Sequence, residues 1–254
     1  MRKTINLPAP QLSQLKRVSI DLDMSGRHYA LLASCEGQLP EDVAFSILKD
    51  LVEEDASKLT LSEVRYLFML VKINSLENKY SVNVECTHVD EKGKPCGCNN
   101  TFDVFLSDQD LNPTPPDYKV PTIVFRANDT EKEYSVIPPT IANESKLYNY
   151  FLTEKNATPE QIPENKELSF EYTFIRSMLH LVDSNDNRLI SDDANFADVM
   201  NYLDDNKFQT INHLIDKVIE VNKFGVQNKV YKLKCKECGK TLVFQLPLLN
   251  GLLD

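Results

Sequence analysis

The chain has 254 residues, enough for one large domain or two modest ones, each with a real core. Its formal charge of −10 and only 7 glycines argue against phosphate as a partner, whether in nucleic acid or in a glycine-rich nucleotide loop. The opening MRKTINLPAPQLSQL has no apolar run behind its two cations and no stretch reaches membrane-spanning length, so a soluble protein made in the cytoplasm is expected, its six cysteines thiols or metal ligands rather than disulfides.

In chain order, KRVSIDLDM (16–24) is a short alternating segment. PEDVAFSILKDLVEE (40–54) carries Val43, Ile47, Leu48, Leu51 and Val52 at helical spacing. TLSEVRYLFMLVKINS (60–75) predicts a second helix with Ser62 as its cap and a broad apolar face from Val64 to Val71. YSVNVEC (80–86) alternates as a strand, a cysteine-bearing loop follows, and TFDVFL (101–106) returns. LNPTPPDYKVPT (111–122) is too rich in proline for a helix or a central strand to run through it. It divides the chain into a first helical and ribbon unit (1–110), a linker (111–121) and a second unit (122–254).

The second unit opens with two alternating segments about the polar turn at Asn128–Glu131, which predicts a hairpin. Pro138-Pro139-Thr140 leads into an amphipathic stretch with Leu147, Tyr150 and Phe151. TPEQIP (158–163) reads as a loop, and SFEYTFIRSMLHLVD (169–183), NFADVMNYLDD (195–205) and QTINHLIDKVIEVNKF (209–224) as helices. KVYKLKC (229–235), a Cys-x-x-Cys-Gly knuckle and TLVFQL (241–246) close the pattern. Two helices, a strand ending on cysteine and a return strand thus occur twice. Cys86 and Cys235 stand 149 positions apart, and letter matches after the loop (Thr101 with Thr241, Leu106 with Leu246) give an offset of 140.

The second knuckle is half of a zinc ribbon, since tetrahedral zinc needs four ligands. Duplication supplies the other half: Cys86 matches Cys235, and either Cys96, which has a following glycine, or Cys98, which the return register favours, matches Cys238. The shared set is then Cys86, Cys96, Cys235 and Cys238 around one structural zinc. A local set, Cys86, His88, Cys96 and Cys98, is the alternative, and simple buried thiols are the third reading. Cys35 reads as core. His28, His88, His180 and His213 share no HExxH spacing, no G-x-S-x-G occurs, and Asp183–Arg188 lacks the glycine and closing glutamate of a calcium loop. The chain is expected not to be an enzyme.

LSEVRYLFMLVKINSLENKYSVNVEC (61–86), YSVIPPTIANESKLYNYFL (134–152) and VYKLKCKECGKTLVFQL (230–246) together resemble the base plate protein family of T-even-like contractile-tailed phages, in its hub-assembly group. The resemblance implies a non-enzymatic assembly factor, chaperone or minor component of the baseplate hub. Its partners would be hub subunits, and it would reside in the host cytoplasm or the virion baseplate. The fold expected is α+β: two related units, each with helices packed on small antiparallel hairpins and a zinc-ribbon-like cysteine hairpin. A ribbon that binds nucleic acid, built on the lysines around Tyr231, is the alternative; overall charge makes nucleic acid an unlikely partner, and no membrane contact is expected.

Overall fold

A computed structural model describes residues 2–34, 40–75, 79–105, 111–127, 129–191, 195–226 and 230–245. The expected turn residue Asn128, together with Cys35, Leu106, Lys229 and Leu246, lies outside the described residues.

Strands β1 (Arg2–Asn6) and β2 (Arg17–Asp21) form an antiparallel hairpin, and Val18 and Ile20 of β2 turn fully into the first core. Helix α1 (Gly26–Ala33) follows, an element that a short segment of mixed polarity did not announce. Helix α2 (Pro40–Leu51) buries Val43, Ala44, Ile47, Leu48 and Leu51. The chain leaving α2 then returns to β2, where Val52 bridges to Ile20. Helix α3 (Leu61–Ser75) presents Val64, Leu67, Phe68 and Val71 to the same core.

The cap of α3 is Thr60 and not Ser62. Thr60 and Glu63 exchange bonds in a capping box, with Thr60 N–H donating to Glu63 Oε2 at 2.8 Å. Ser62 is turned outward and accepts from Val226 N–H, at 3.0 Å. That bond fixes a two-stranded pairing of β5 (Leu111–Asn112) with β9 (Gly225–Val226), which closes the proline-rich interval. Gly225 has φ of 90°, and a Cβ there would run into the Ser62 hydroxyl, so this position takes no side chain. The rest of the interval is also tied down: Thr114 N–H donates to Pro8 O, and the ring of Tyr118 packs edge-on to Phe224 at 4.6 Å.

Strands β3 (Lys79–Glu85) and β4 (Asn99–Phe105) make the first cysteine hairpin. In the second half β6 (Thr122–Ala127) and β7 (Thr130–Val136) pair about Asp129, whose φ is 60°. Thr140 caps α4 (Ile141–Thr153) with Asn143 as the reciprocal partner. The expected loop 158–163 holds a short helix, α5 (Gln161–Glu164), because Thr158 and Gln161 trade bonds at its start and Pro163 falls within its first turn, where no donor is needed. Helix α6 (Lys166–Met178) ends sooner than its sequence period suggests. Leu181 and Val182 leave it to form β8 (Leu181–Val182) beside β7, where both side chains are buried. The expected helix 195–205 is two short ones, α7 (Phe196–Val199) and α8 (Tyr202–Asp205), separated at Met200–Asn201. Helix α9 (Phe208–Val221) stops before Phe224, which is drawn off against Tyr118. Strands β10 (Val230–Lys234) and β11 (Thr241–Gln245) form the second cysteine hairpin.

Each half therefore runs hairpin, helices, hairpin, and in each the chain leaving a helix adds to the second strand of the opening hairpin: Val52 on Ile20, Leu181 on Val136. Two large apolar cores result among the described residues, and they exchange residues. Leu12 lies in the second core, while Ile141 and Val226 lie in the first. The caps of α3 and α4 meet directly: Thr60 bridges to Thr140, and Ile141 N–H donates to Leu59 O at 2.7 Å. His180 is wholly buried between α6 and α9, its Nδ1 on Arg176 O and its Nε2 accepting from Asn222. Burial, and then the Arg176 charge, pull it down to about 3, so it is a neutral structural side chain.

The joint between halves carries a titration. Burial of Glu63 raises its carboxyl from 4.5 to about 7, against the pull of Ser13 and Thr60 donors. A carboxyl held above its unfolded value favours the protonated fold. That contribution is full below about pH 4.5 and lost as pH rises through about 7. Glu63→Gln keeps an oxygen for Thr60 and removes the titration. It should be more stable than the parent at pH 8 by up to about 3 kcal/mol, with the gap closing by pH 5, read from urea midpoints at both pH values.

Candidate metal centre

A two-stranded hairpin is marginal alone, since it cannot cover either face. Here the two cysteine hairpins cover each other. Opposed residues share a face, so Val82, Val84, Asn100 and Phe102 of the first hairpin point one way, and Tyr231, Leu233, Leu242 and Phe244 of the second point back at them. Phe102 stacks on Phe244 at 6.1 Å, and Phe244 on Tyr231 at 5.4 Å. At one end of this sandwich Cys86, Cys235 and Leu242 form a small buried cluster of their own, with Val84 and Phe102 packed against it.

The four sulfurs of Cys86, Cys96, Cys235 and Cys238 lie within 4.8 Å of one another. Cys86 Sγ is 3.6 Å from Cys238 Sγ, and Cys96 Sγ is 3.9 Å from Cys235 Sγ. Zinc–sulfur bonds of about 2.3 Å at tetrahedral angles put sulfurs about 3.8 Å apart, while a disulfide needs about 2.05 Å. The spacing therefore fits a shared tetrahedral ion and not a bond between sulfurs. Of the local alternative, His88 stands beside the group, with Nδ1 3.5 Å from Cys86 Sγ, and Cys98 Sγ turns to Asn99 O.

The two knuckles share two backbone bonds. Gly97 N–H donates to Cys86 O at 3.1 Å, and Gly239 N–H to Cys235 O at 3.0 Å. Cys86 N–H donates to Cys98 O, and Cys235 N–H to Lys240 O, both at 2.9 Å. Gly97 and Gly239 have φ of 61° and 69°, a left-handed turn that glycine takes without strain. Cys96 is thus the counterpart of Cys238, and Cys98 that of Lys240. The register agrees: Glu85 faces Asn99 as Lys234 faces Thr241, so Phe102 corresponds to Phe244. The offset of 140 drawn from letter matches is two short. Threonines on the outer face carry little positional information, whereas knuckle hydrogen bonds fix the strands.

Backbone donors act on the sulfurs. Cys238 N–H, then Glu237 N–H and the Asn100 amide, draw the Cys235 thiol down to about 6. Burial, with three thiols beside it, pushes Cys86 up to about 12. Among four clustered thiols one ionises readily and its charge opposes the rest, which is the electrostatic condition a dication relieves. All-thiolate donors favour zinc over the hard cations.

Asn100 was not singled out by the sequence. It is wholly buried and crosses from the first hairpin to the second knuckle: Oδ1 accepts from Lys236 N–H at 2.8 Å, while Nδ2 donates to Cys98 O at 2.9 Å and faces Cys235 Sγ at 3.5 Å. Its counterpart in the second hairpin is Leu242, also buried. The signal was a polar residue at an inward position of an alternating strand, visible only once the register is known.

One other constellation resembles catalytic machinery. Ser25 Oγ lies 3.3 Å from His28 Nδ1, and His28 Nε2 lies 3.5 Å from Asp50. His28 Nδ1 also accepts the Ser25 backbone N–H at 3.0 Å, which makes the group the capping box of α1. Asp183 likewise gathers Asn185 and Asn187 N–H into a tight polar turn.

Residues 25–253 match the family model described as T4 bacteriophage base plate protein. The chain belongs to that family. No curated protein and no solved structure matches it significantly. As a baseplate protein it works among other proteins of the phage baseplate. No helix among its described residues is long and apolar enough to cross a membrane.

Replacing Asn100 by the leucine of its counterpart should orphan Lys236 N–H and leave Cys98 O with the Cys86 N–H alone. The expected cost is about 1–3 kcal/mol in denaturant stability. Any bound zinc should be held roughly 10–100-fold more weakly, measured by competition with a chromogenic chelator.

Proposed function

We propose that this baseplate protein takes part in building the hub of the tail baseplate, by protein–protein contact and without catalysis. A single structural zinc on Cys86, Cys96, Cys235 and Cys238 locks its two cysteine hairpins into a zinc-ribbon-like body. The observation that carries the metal reading is the meeting of four sulfurs at tetrahedral spacing from two segments 149 positions apart. The family match carries the baseplate reading, and the resemblance of 61–86, 134–152 and 230–246 to the hub-assembly group supports the finer assignment.

The two halves arose by duplication of one unit. Equivalent knuckle bonds, equivalent strand registers and the repeated addition of a returning chain to the opening hairpin all support this reading. A hairpin that shares its only core with a metal has little else to hold it, so the ion contributes folding energy rather than chemistry. Its role in assembly is to make two flexible ribbons one rigid surface.

Elemental analysis of the untagged protein should give one zinc per chain, absent from both Cys86→Ser and Cys235→Ser. Zinc that persists in Cys235→Ser would move the site to Cys86, His88, Cys96 and Cys98, and zinc missing from the parent would remove the metal from the account. In a phage lacking the gene, hub-containing baseplates should fail to accumulate. Supplying the parent chain should restore them, and the Cys235→Ser chain should restore far fewer. Normal hubs without the gene would overturn the assembly role.

A further inference from the structure

The two cysteine hairpins agree on the faces they turn to each other and differ on the faces they turn to solvent. On the outer side of β3–β4 the polar side chains satisfy one another across the strands. Ser81 donates to Asp103 at 2.9 Å and Thr101 to Asn83 at 2.7 Å. The outer side of β10–β11 is built otherwise. Its residues are Val230, Lys232, Lys234, Thr241 and Val243, with Val243 62% exposed directly opposite Lys232 and Val230 54% exposed beside it. Exposed Lys236 and Lys240 of the adjoining knuckle extend the charge, and Glu237 is the single acid between Val230 and Gln245. None of these four lysines has an ion-pair partner among the described residues. A local charge of +3 thus sits on a chain whose total is −10.

Which polyanion or acidic surface would such a face take? Single-stranded nucleic acid needs aromatic rings on which bases stack. The aromatic residues of this hairpin, Tyr231 and Phe244, point inward, with Phe244 stacked on both Tyr231 and Phe102. Exposed valines between the lysines offer instead an apolar contact that excludes water from neighbouring ion pairs, which strengthens them beyond the small value of exposed pairs. A protein segment with alternating carboxylates and aliphatic side chains satisfies both features. The negative remainder of the chain repels such a partner elsewhere and so orients its approach.

We propose that the outer face of β10–β11 is the docking surface for an acidic, aliphatic segment of another baseplate protein. The proposal rests on the assembly reading above and adds where contact is made and with what chemistry.

Zero-length carbodiimide coupling joins a lysine amine only to a carboxylate in direct contact, so it reads this pairing. Baseplates and assembly intermediates from infected cells would be coupled, digested and mapped by mass spectrometry. Lys232 or Lys234 should be found joined to Asp or Glu of a different baseplate protein. The pair Lys232→Glu and Lys234→Glu leaves the inner face and the sulfurs untouched. It should keep its zinc and far-ultraviolet spectrum while its incorporation falls by about tenfold or more. Lys232→Gln with Lys234→Gln should give a smaller fall in the same direction.

Normal incorporation of both pairs would overturn the proposal, as would coupling only to Glu85 or Asp103 of a second copy, or ultraviolet crosslinking of the lysine face to nucleic acid. Absence of the chain from baseplates and intermediates alike would instead overturn the assembly reading on which it stands.

Discussion

The arrangement of this protein follows from one shortage: neither cysteine hairpin owns enough apolar surface to stand alone. Each has one inward row of side chains and, among the described residues, no third strand. Facing them together closes both rows at once, with Phe102 against Phe244 at the centre and the sulfurs at the end. Everything between residues 105 and 230 must then bring the second hairpin back to the first. The β5–β9 pairing does this immediately before β10, where Ser62 of α3 holds Val226 and Gly225 leaves room for the approach. The first core therefore includes Tyr231 and Phe244 on its margin, and the ribbon body grows out of the helices.

The halves are coupled at a second place by their helix starts. Thr60 and Thr140 face each other across a β-bridge, and each closes its own capping box, one with Glu63 and one with Asn143. Glutamate reaches a buried site where its second oxygen finds no donor, while asparagine at the matching place brings no charge. Equivalent positions thus carry different electrostatics, just as the outer faces of the two hairpins do. Similar architecture with different surfaces is what the two halves present: each braces the other at the helix starts, while their outer faces differ in charge.

Much of this was legible in the chain itself. Apolar spacing marked α2, α3, α4, α6 and α9, and alternation marked the strands of three hairpins. Cys-x-x-Cys-Gly marked the second knuckle, and the search for its missing half led to Cys86 with either Cys96 or Cys98. What was hidden was decided by contacts between distant residues. Ser62 is a good cap by type, yet Thr60 won because its partner Glu63 sits at the right distance and Ser62 was needed by Val226. Leu181 and Val182 fit a helical period but gain more from burial beside β7. The choice between Cys96 and Cys98 turned on which carbonyl each knuckle bonds. Asn100 could not be recognised before its strand was known to face another, and the role of Tyr231 reversed for the same reason: a ring among lysines in sequence is a ring turned away from them in space.

The order in which the sulfurs leave the ribosome sets a clock. Cys86 and Cys96 are made long before Cys235 and Cys238 exist. At roughly 5–20 residues per second the first pair waits on the order of 10 seconds for the second. During that interval Cys86 and Cys96 stand near His88 and Cys98 in the chain, and the first hairpin has no opposite face to lie on. The first knuckle therefore exists for a time without the second, and its sulfurs gain their opposite pair when the last strands arrive.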